Sequence, residues 1–302
     1  MKDGVVWTDL TATDVAERLA EVGVSVSVHV VEQLFEESGY GRRQTQKRDC
    51  LGEHPDRDAQ FLRIADIKQE YLDSPKPVLS IDTKKKELLG NFYRDGQLFT
   101  RETLTAFDHD FPSFADGVVI PHGLYDLKRN RGYLHLGTSH DTSEFACDCL
   151  EDWWTRFGAA LYPRAKSLLL LLLCDGGGSN NARSHLFKAD LQAMVNRIGL
   201  PVRVAHYPPY TSKYNPIEHR LFPHVTRACQ GVVFRSRALV KQLMEKTRTR
   251  TGLSVVVDIL DRVYAKGRKV ADEVRKAVNI VRDEILPLWN YRILPAPRKI
   301  TD

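Results

Sequence analysis

Residues 166–180 read KSLLLLLLCDGGGSN. Six leucines, Leu168 to Leu173, run into Cys174, then Asp175, then three glycines. A short continuous apolar run bounded by turn residues predicts a strand buried on both faces. The glycines release the chain from the sheet, because they accept backbone conformations closed to other residues. One carboxylate, Asp175, is thereby set at the end of a central strand, beside a permissive turn. Open α/β sheets carry their chemistry at such strand ends. A solvated loop aspartate would look the same in isolation. What decides between the two is whether other carboxylates reach the same place.

Two do. Val78-Leu79-Ser80-Ile81-Asp82 is a second apolar strand that ends in a carboxylate. In HYPPYTSKYNPIEHRLF, residues 206–222, Asn215 is a natural helix N-cap and Pro216 fits the first helical position. Glu218 then falls in the first turn, where it could also serve simply to close the cap. Helix continues through Leu221 and Phe222, with a kink expected at Pro223.

The remaining elements can be read outward from these three. Two short helices are predicted within Asp9–Tyr40, capped by Thr11 or Thr13 and by Ser27 and broken at Gly23 and Gly39. Val30, Val31, Leu34 and Phe35 are the inward face expected of the second. Such a pair resembles a helix-turn-helix, although any small helical hairpin has the same pattern. Only eight residues precede it, too few for a further helix, so a loosely held module with little sequence preference is expected. Gly41–Asp58 is polar and basic and reads as a linker that touches phosphates. Ala59–Asp73 is an amphipathic helix stopped by Ser74-Pro75. Residues 88–116 are an irregular, aromatic-rich insertion. Val118–Asp126 and Tyr133–Gly137 are strands joined by a turn with a basic tip, Lys128, Arg129 and Arg131. Asp141-Thr142-Ser143-Glu144 has the form of a capping box, which assigns Asp141 to the cap. A helix follows through Trp153 and Trp154. Asn181–Ile198 is a further helix with Leu186, Leu191 and Val195 inward, and Val202–Ala205 a further strand. Beyond Gly231 the chain is basic, around a short apolar stretch Leu253–Leu260.

Composition narrows the class. The chain has 302 residues, 42% hydrophobic and 27% charged, with a net charge of +5. That is enough for a sizeable core, and the mild basic excess suits a polyanionic partner without requiring one. Five cysteines, Cys50, Cys147, Cys149, Cys174 and Cys229, include no CxxC pair, so neither a disulfide framework nor a zinc site is indicated. The leucine run is too short to span a bilayer, and no amino-terminal signal is visible. A soluble protein of a reducing compartment, with no membrane partner, is expected.

The order strand (Asp82), two strands, helix, strand (Asp175), helix, strand, helix (Glu218) matches a ribonuclease-H-like mixed sheet flanked by helices. There the first and fourth strands lie side by side and the last helix brings its acid to them. Three converging acids do not all stay ionised without a cation. Carboxylate oxygens suit Mg²⁺ or Mn²⁺, and two such ions per site are expected to drive an in-line phosphoryl displacement. The basic residues near this chemistry are Lys84, Lys85 and Lys86 after Asp82, and Lys213 and Arg220 around Glu218. With the basic turn they are the candidate DNA contacts. Asp126 precedes that turn and ranks below the three acids. His206 and His219 flank the site and are expected to be structural or DNA-facing.

IDTKKKELLGNF, IPHGLYDLKRNRGYLHLGTSHDTSEFA, CDGGGSN, HYPPYTSKYNPIEHRLF and TRTRTGL together resemble the DDE transposases of bacterial insertion sequences, in particular the Rhodopirellula-type group. The resemblance runs from about His54 to Trp289. It implies a catalytic triad of Asp82, Asp175 and Glu218 that also holds the metal. The activity implied is metal-dependent cleavage at transposon ends and strand transfer into target DNA, on double-stranded DNA and in a homo-oligomer assembled there. The chain departs from the family pattern at Tyr210, Tyr214 and Pro216, where a glycine, a tryptophan and a lysine are usual. A silent DNA-binding remnant and a ribonuclease-H-like nuclease are the alternatives. The expected divisions are a helix-turn-helix segment at 1–47, a linker and helix at 48–76, a catalytic domain at 77–231 and a basic segment at 232–302.

Overall fold

The computed structural model describes residues 7–43, 54–163 and 169–297. Lys166, Ser167 and Leu168, most of the basic linker and Cys50 lie outside them. The chain divides into two compact units, Met1–Asp49 and Cys50–Asp302.

The first unit holds two helices, α1 (Ala12–Glu21) and α2 (Val28–Glu37). Thr11 caps α1 in a full capping box, with its hydroxyl accepting from Asp14 N and the Asp14 carboxylate accepting from Thr11 N. Ser27 caps α2. Only Val31 of the expected inward face is buried, while Val30 and Leu34 are exposed. Two helices of ten residues bury little against each other, so most of the apolar stripe stays in solvent.

In the second unit α3 (Arg57–Leu72) precedes β1 (Val78–Thr83) and a short β2 (Glu87–Leu89). After the insertion come β3 (Gly117–Asp126), β4 (Arg131–Gly137), α4 (Ser143–Trp153) and a three-residue α5 (Ala159–Leu161). The leucine run forms β5 (Leu170–Cys174), followed by α6 (His185–Ile198) and β6 (Val202–His206). Then α7 (Pro216–Arg220) and α8 (Phe222–Ala228) meet at a kink at Leu221, two residues ahead of the expected break at Pro223. The basic segment contributes α9 (Arg237–Glu245), β7 (Ser254–Leu260), α10 (Asp272–Lys276), β8 (Ile280–Arg282) and β9 (Asn290–Ile293).

The sheet order is β7-β4-β3-β1-β5-β6-β9-β8, with β2 on β3. β3 runs antiparallel to β1, while β5 runs parallel to β1 and β6 parallel to β5. This is the ribonuclease-H-like arrangement, with the leucine strand fifth in sequence because ELL at 87–89 is itself a strand. All five residues of β5 are buried, as a central strand with both faces covered requires. Leu170, Leu172 and Cys174 pack with Phe145, Trp153 and Leu191 of α4 and α6. Leu171 and Leu173 pack with Ile64, Ile67 and Tyr71 of α3 on the other face.

Three strands of the basic segment extend this sheet, β7 beside β4 and β9 beside β6. The helix that follows the linker is tied down as well. Gln60, fully buried, donates to His206 O at 2.8 Å and exchanges side-chain hydrogen bonds with Asn290 of β9. Arg63 Nη2 donates to both carboxylate oxygens of Asp283 at 2.7 Å. Among the described residues no helix is long and apolar enough to cross a membrane.

Tyr210 adopts φ +62°. This is the position where the resembled family carries glycine. Left-handed backbone costs a side-chain-bearing residue roughly 1–2 kcal/mol, and glycine's extra freedom in the unfolded chain offsets about 0.5–1 kcal/mol of any gain. Tyr210→Gly is therefore expected to stabilise the fold by about 0.5–1 kcal/mol. The check is a higher urea midpoint at unchanged slope; a lower midpoint would mean that contacts of the tyrosine ring outweigh the strain.

Candidate active site

The β1–β5 register pairs Ile81 with Cys174. The next residues, Asp82 and Asp175, therefore leave neighbouring parallel strands at the same level. Side chains alternate across a strand, so Asp82 shares a face with Ser80, and Asp175 shares that same sheet face with Leu171 and Leu173. It is the face that α3 and α7 cover.

Glu218 reaches them because α7 is bolted to β1. The fully buried Asn215 caps the approach to α7, and its side chain works on β1 instead of on its own helix. Its amide nitrogen donates to Ile81 O at 3.1 Å, and its amide oxygen accepts from the Ser80 hydroxyl at 2.5 Å. The same hydroxyl accepts from Ile217 N at 3.0 Å. Gly123 lies opposite Asp82 across the β1–β3 ladder, and a Cβ there would meet Ile217 and Phe222 at under 3 Å. The missing side chain is what lets α7 and α8 lie down on the sheet.

Asp175 is held from the other side. His206 Nδ1 donates to Asp175 O at 3.2 Å, while Nε2 accepts from the Tyr291 hydroxyl at 3.0 Å. Burial drives the His206 pKa down to about 4, so the ring is neutral and both roles are fixed. His206 is thus structural, and His219 is exposed. At Gly176 a Cβ would stand 2.7 Å from Tyr207 O, so the turn after Asp175 closes against the segment leading to α7.

The electrostatics of the site follow from crowding. The Asp82 carboxyl is pushed up to about 8, first by burial and then by the charges of Asp175 and Glu218, against an amide hydrogen bond from Thr83 at 2.7 Å. Asp175 rises to about 6 through burial, opposed by the Gly177 amide and reinforced by Glu218 and Asp141. The three expected acids are therefore brought together, and the charge of Asp141 reaches Asp175. Asp141 is not the helix cap expected from DTSE. Thr142 takes that place, its hydroxyl accepting from Phe145 N at 3.2 Å, so the helix begins one residue later and Asp141 is left outside it. DTSE offers two cap candidates in succession, and position alone does not separate them.

The donor set fits a hard divalent cation: oxygen ligands, net negative charge and partial burial. Among the described residues no three His, Cys, Asp or Glu side chains already stand in a chelating arrangement.

The expected DNA contacts separate into groups. Lys85 and Lys86 are exposed beside Asp82. Lys84 is committed to an ion pair with Glu87 at 2.5 Å, both side chains mostly buried, and Arg94 closes the other Glu87 oxygen at 2.6 Å. Lys213 lies over the Tyr214 ring and Arg220 is exposed on the helix of Glu218. Lys128, Arg129 and Arg131 sit at the opposite end of β1, since Leu79 pairs with Asp126 just before their turn. Lys128 donates to Ser74 O, Arg129 to Leu161 O at 2.7 Å, and Arg131 stacks on Tyr133. Asp126 organises that turn, accepting from Lys128 N, Arg129 N and the Tyr162 hydroxyl.

A mixed sheet of this order, with acids at the ends of β1 and β5 and on an adjoining helix, defines a ribonuclease-H-like domain with a carboxylate site. Residues 1–295 match the profile of the Rhodopirellula transposase DDE domain, and the chain belongs to that family. No curated protein matches it. Among solved structures it is similar to Mos1 transposase in a paired-end complex with the left transposon end, at TM-score 0.45, and in a pre-cleavage transpososome, at 0.46. A Mos1 mariner paired-end complex with Mn gives 0.43. In each case identity is 14%, with 82% of this chain and 73% of that chain covered.

Proposed function

We propose that the chain is an insertion-sequence transposase that cleaves DNA at transposon ends and joins them to target DNA. Asp82, Asp175 and Glu218 are its catalytic carboxylates. The observation that supports this is the convergence of these acids at one sheet end, where burial and neighbouring negative charge raise the carboxyls of Asp82 and Asp175. The carboxylates would hold Mg²⁺ or Mn²⁺, which supplies charge neutralisation and activation of the attacking and leaving oxygens of an in-line displacement. Ser80 and Asn215 hold the Glu218 helix against β1, and His206 fixes the backbone carbonyl of Asp175. Gly176 keeps the turn below Asp175 tight. The partner is double-stranded DNA, with a homo-oligomer assembled on the paired ends, in the cytoplasm.

The test uses linear DNA bearing the inverted repeats that flank the reading frame. With Mg²⁺ or Mn²⁺ the purified chain is expected to cut at the repeat ends and to join them to a second duplex. Cutting that is indifferent to chelator, or that persists unchanged in Glu218→Gln, would overturn the assignment.

DNA contact is proposed for Lys85, Lys86, Lys213 and Arg220 near the acids and for Lys128, Arg129 and Arg131 at the far end of β1. Six residues of strand span about 20 Å, a length that one duplex covers in about six base pairs. Replacing Lys85 and Lys86 with alanine is expected to flatten the salt dependence of DNA binding by up to about one slope unit per lost phosphate contact. Lys84→Ala, which removes one of the two cationic partners of Glu87, should lower the melting temperature and leave the slope alone. Equal slopes for all three chains would show that Lys85 and Lys86 only solvate the surface.

A further inference from the structure

We propose that Tyr210 and Tyr214 form a stacking platform for unpaired bases of the DNA strand that reaches the carboxylates. The inference rests on the transposase reading above and names the form of DNA that the site takes.

Both rings are carried by the segment that joins β6 to the helix of Glu218. It leaves β6 at His206 and ends at Asn215, where α7 begins. It lies on the sheet face that Asp82 and Asp175 share, since Tyr207 packs with Leu171, Leu173 and Ile64 there. Its path is fixed along its length. Pro208 and Pro209 close against the turn after Asp175, where a Cβ on Gly176 would stand 3.1 Å from Pro209 N. Thr211 is fully buried, and its hydroxyl donates to Pro208 O at 2.6 Å. Tyr214 N donates to Thr211 O at 2.9 Å, and Asn215 is tied to β1. Tyr210 thus stands on a rigid loop, between a proline pair seated on the Asp175 turn and a buried threonine.

Folding makes little use of either ring. Tyr210 is 70% exposed and Tyr214 45%. Among the described residues the Tyr210 side chain makes no hydrogen bond and meets no other ring or cation, yet its backbone holds φ +62°. Strained backbone of this kind is kept where a functional contact uses it. Cations stand among the neighbouring rings. Phe61 of α3 meets Tyr214 edge-on at 5.0 Å. The Arg57 guanidinium lies 5.7 Å over Phe61, and Lys213 lies 5.2 Å over Tyr214. Arg57 has no ion pair among the described residues, and its Nε is buried without a partner. Exposed rings interleaved with cations fit single-stranded DNA, whose bases stack on the rings while its phosphates meet the cations. Bases inside a duplex are stacked on one another, so the platform takes them only where the strands have parted.

The experiment is DNA binding by the full chain in the presence of chelator, so that the DNA stays uncut. Two probes are compared: a repeat-end duplex with a short single-stranded tail, and the same duplex with a tail of sugars and phosphates that lacks bases. The parent is expected to bind the base-bearing tail about 5- to 100-fold more tightly. Tyr210→Phe keeps the ring and should keep that preference. Tyr210→Gly should bring the two affinities within about twofold while raising the urea midpoint, a combination that a structural role for the ring would not produce. Tyr214→Leu should reduce the preference as well. Arg57→Ala removes a phosphate contact and should weaken both probes alike. If the parent binds both tails equally, or if Tyr210→Gly and Tyr214→Leu keep the preference, the platform is overturned. Cleavage of the repeat-end duplex with Mg²⁺, measured on the same preparation, separates this inference from the reading it rests on. A parent that cuts the ends and ignores the bases of the tail loses only the platform. A parent that prefers the base-bearing tail and never cuts keeps the platform and loses the transposase reading.

Discussion

Asp82→Asn is expected to abolish DNA cleavage and, in the absence of metal, to make the protein more stable. Loss of activity by at least about 10³-fold follows if the residue is a metal ligand in a phosphoryl-transfer site. The stability gain follows from the crowding that the site imposes on its acids. In the folded chain burial, with the charges of Asp175 and Glu218, pushes the Asp82 carboxyl up to about 8 from an ordinary value of 3.8. Between those two values the folded state keeps a proton that the unfolded state has released. Stability therefore falls as pH rises through that window, by about 1.4 kcal/mol per pH unit for one proton. Half of the window is worth about 3 kcal/mol. Asparagine resembles the protonated acid in shape and does not titrate. The variant should match the parent near pH 4 and melt roughly 5–10 °C higher near pH 8. Mn²⁺ should close the gap, because it stabilises only the chain that binds it. Melting curves across pH, with metal and with chelator, read all three statements. A variant less stable than the parent at pH 8 without metal would mean that Asp82 is held by partners and not crowded by charges.

The strand-end acids were legible because each ends an apolar run, and a buried strand that stops at a carboxylate has few places to put it. The parallel pairing of β1 with β5 then follows from the order of elements. The tie of α3 to β9 was not legible. Gln60 and Asn290 are ordinary polar residues in sequence and meet only once β9 has joined the sheet edge. β9 itself is four residues long, with one exposed, and offers no periodicity to read. Lys84 illustrates a different limit. Three lysines in a row look equivalent, yet Glu87 selects the first, three positions upstream, and leaves the other two in solvent. Tyr210 runs the other way: the resemblance implies a glycine there, and the left-handed backbone found at Tyr210 is one that glycine adopts without strain.

Asn215→Ala is expected to cost stability and to slow cleavage more than it weakens DNA binding. The side chain is fully buried and spans two elements, donating to Ile81 O and accepting from Ser80 Oγ. Its removal leaves the Ser80 hydroxyl hydrogen without its acceptor and a strand carbonyl without this donor. Unpaired buried groups cost about 1–3 kcal/mol each, so a loss of about 2–4 kcal/mol is expected. The catalytic effect has a separate origin. Glu218 stands three residues beyond Asn215, on a helix of only five residues, so little besides this brace sets its distance from β1. A displacement on the order of 1 Å costs about 10²-fold in rate where reacting groups must align. The rate at saturating DNA and metal should therefore fall about 10²-fold, with DNA affinity nearly unchanged. Ser80→Ala breaks the same brace from the strand side, and the double variant should be little worse than either single one. Single-turnover cleavage at a temperature where every variant is folded separates the two effects. If Asn215→Ala proved destabilised yet cleaved at the parent rate, α7 would be held by the Ile217 N–Ser80 Oγ hydrogen bond and by Ile217 and Phe222 packing at Gly123, and the Asn215 brace would belong to folding and not to the placement of Glu218.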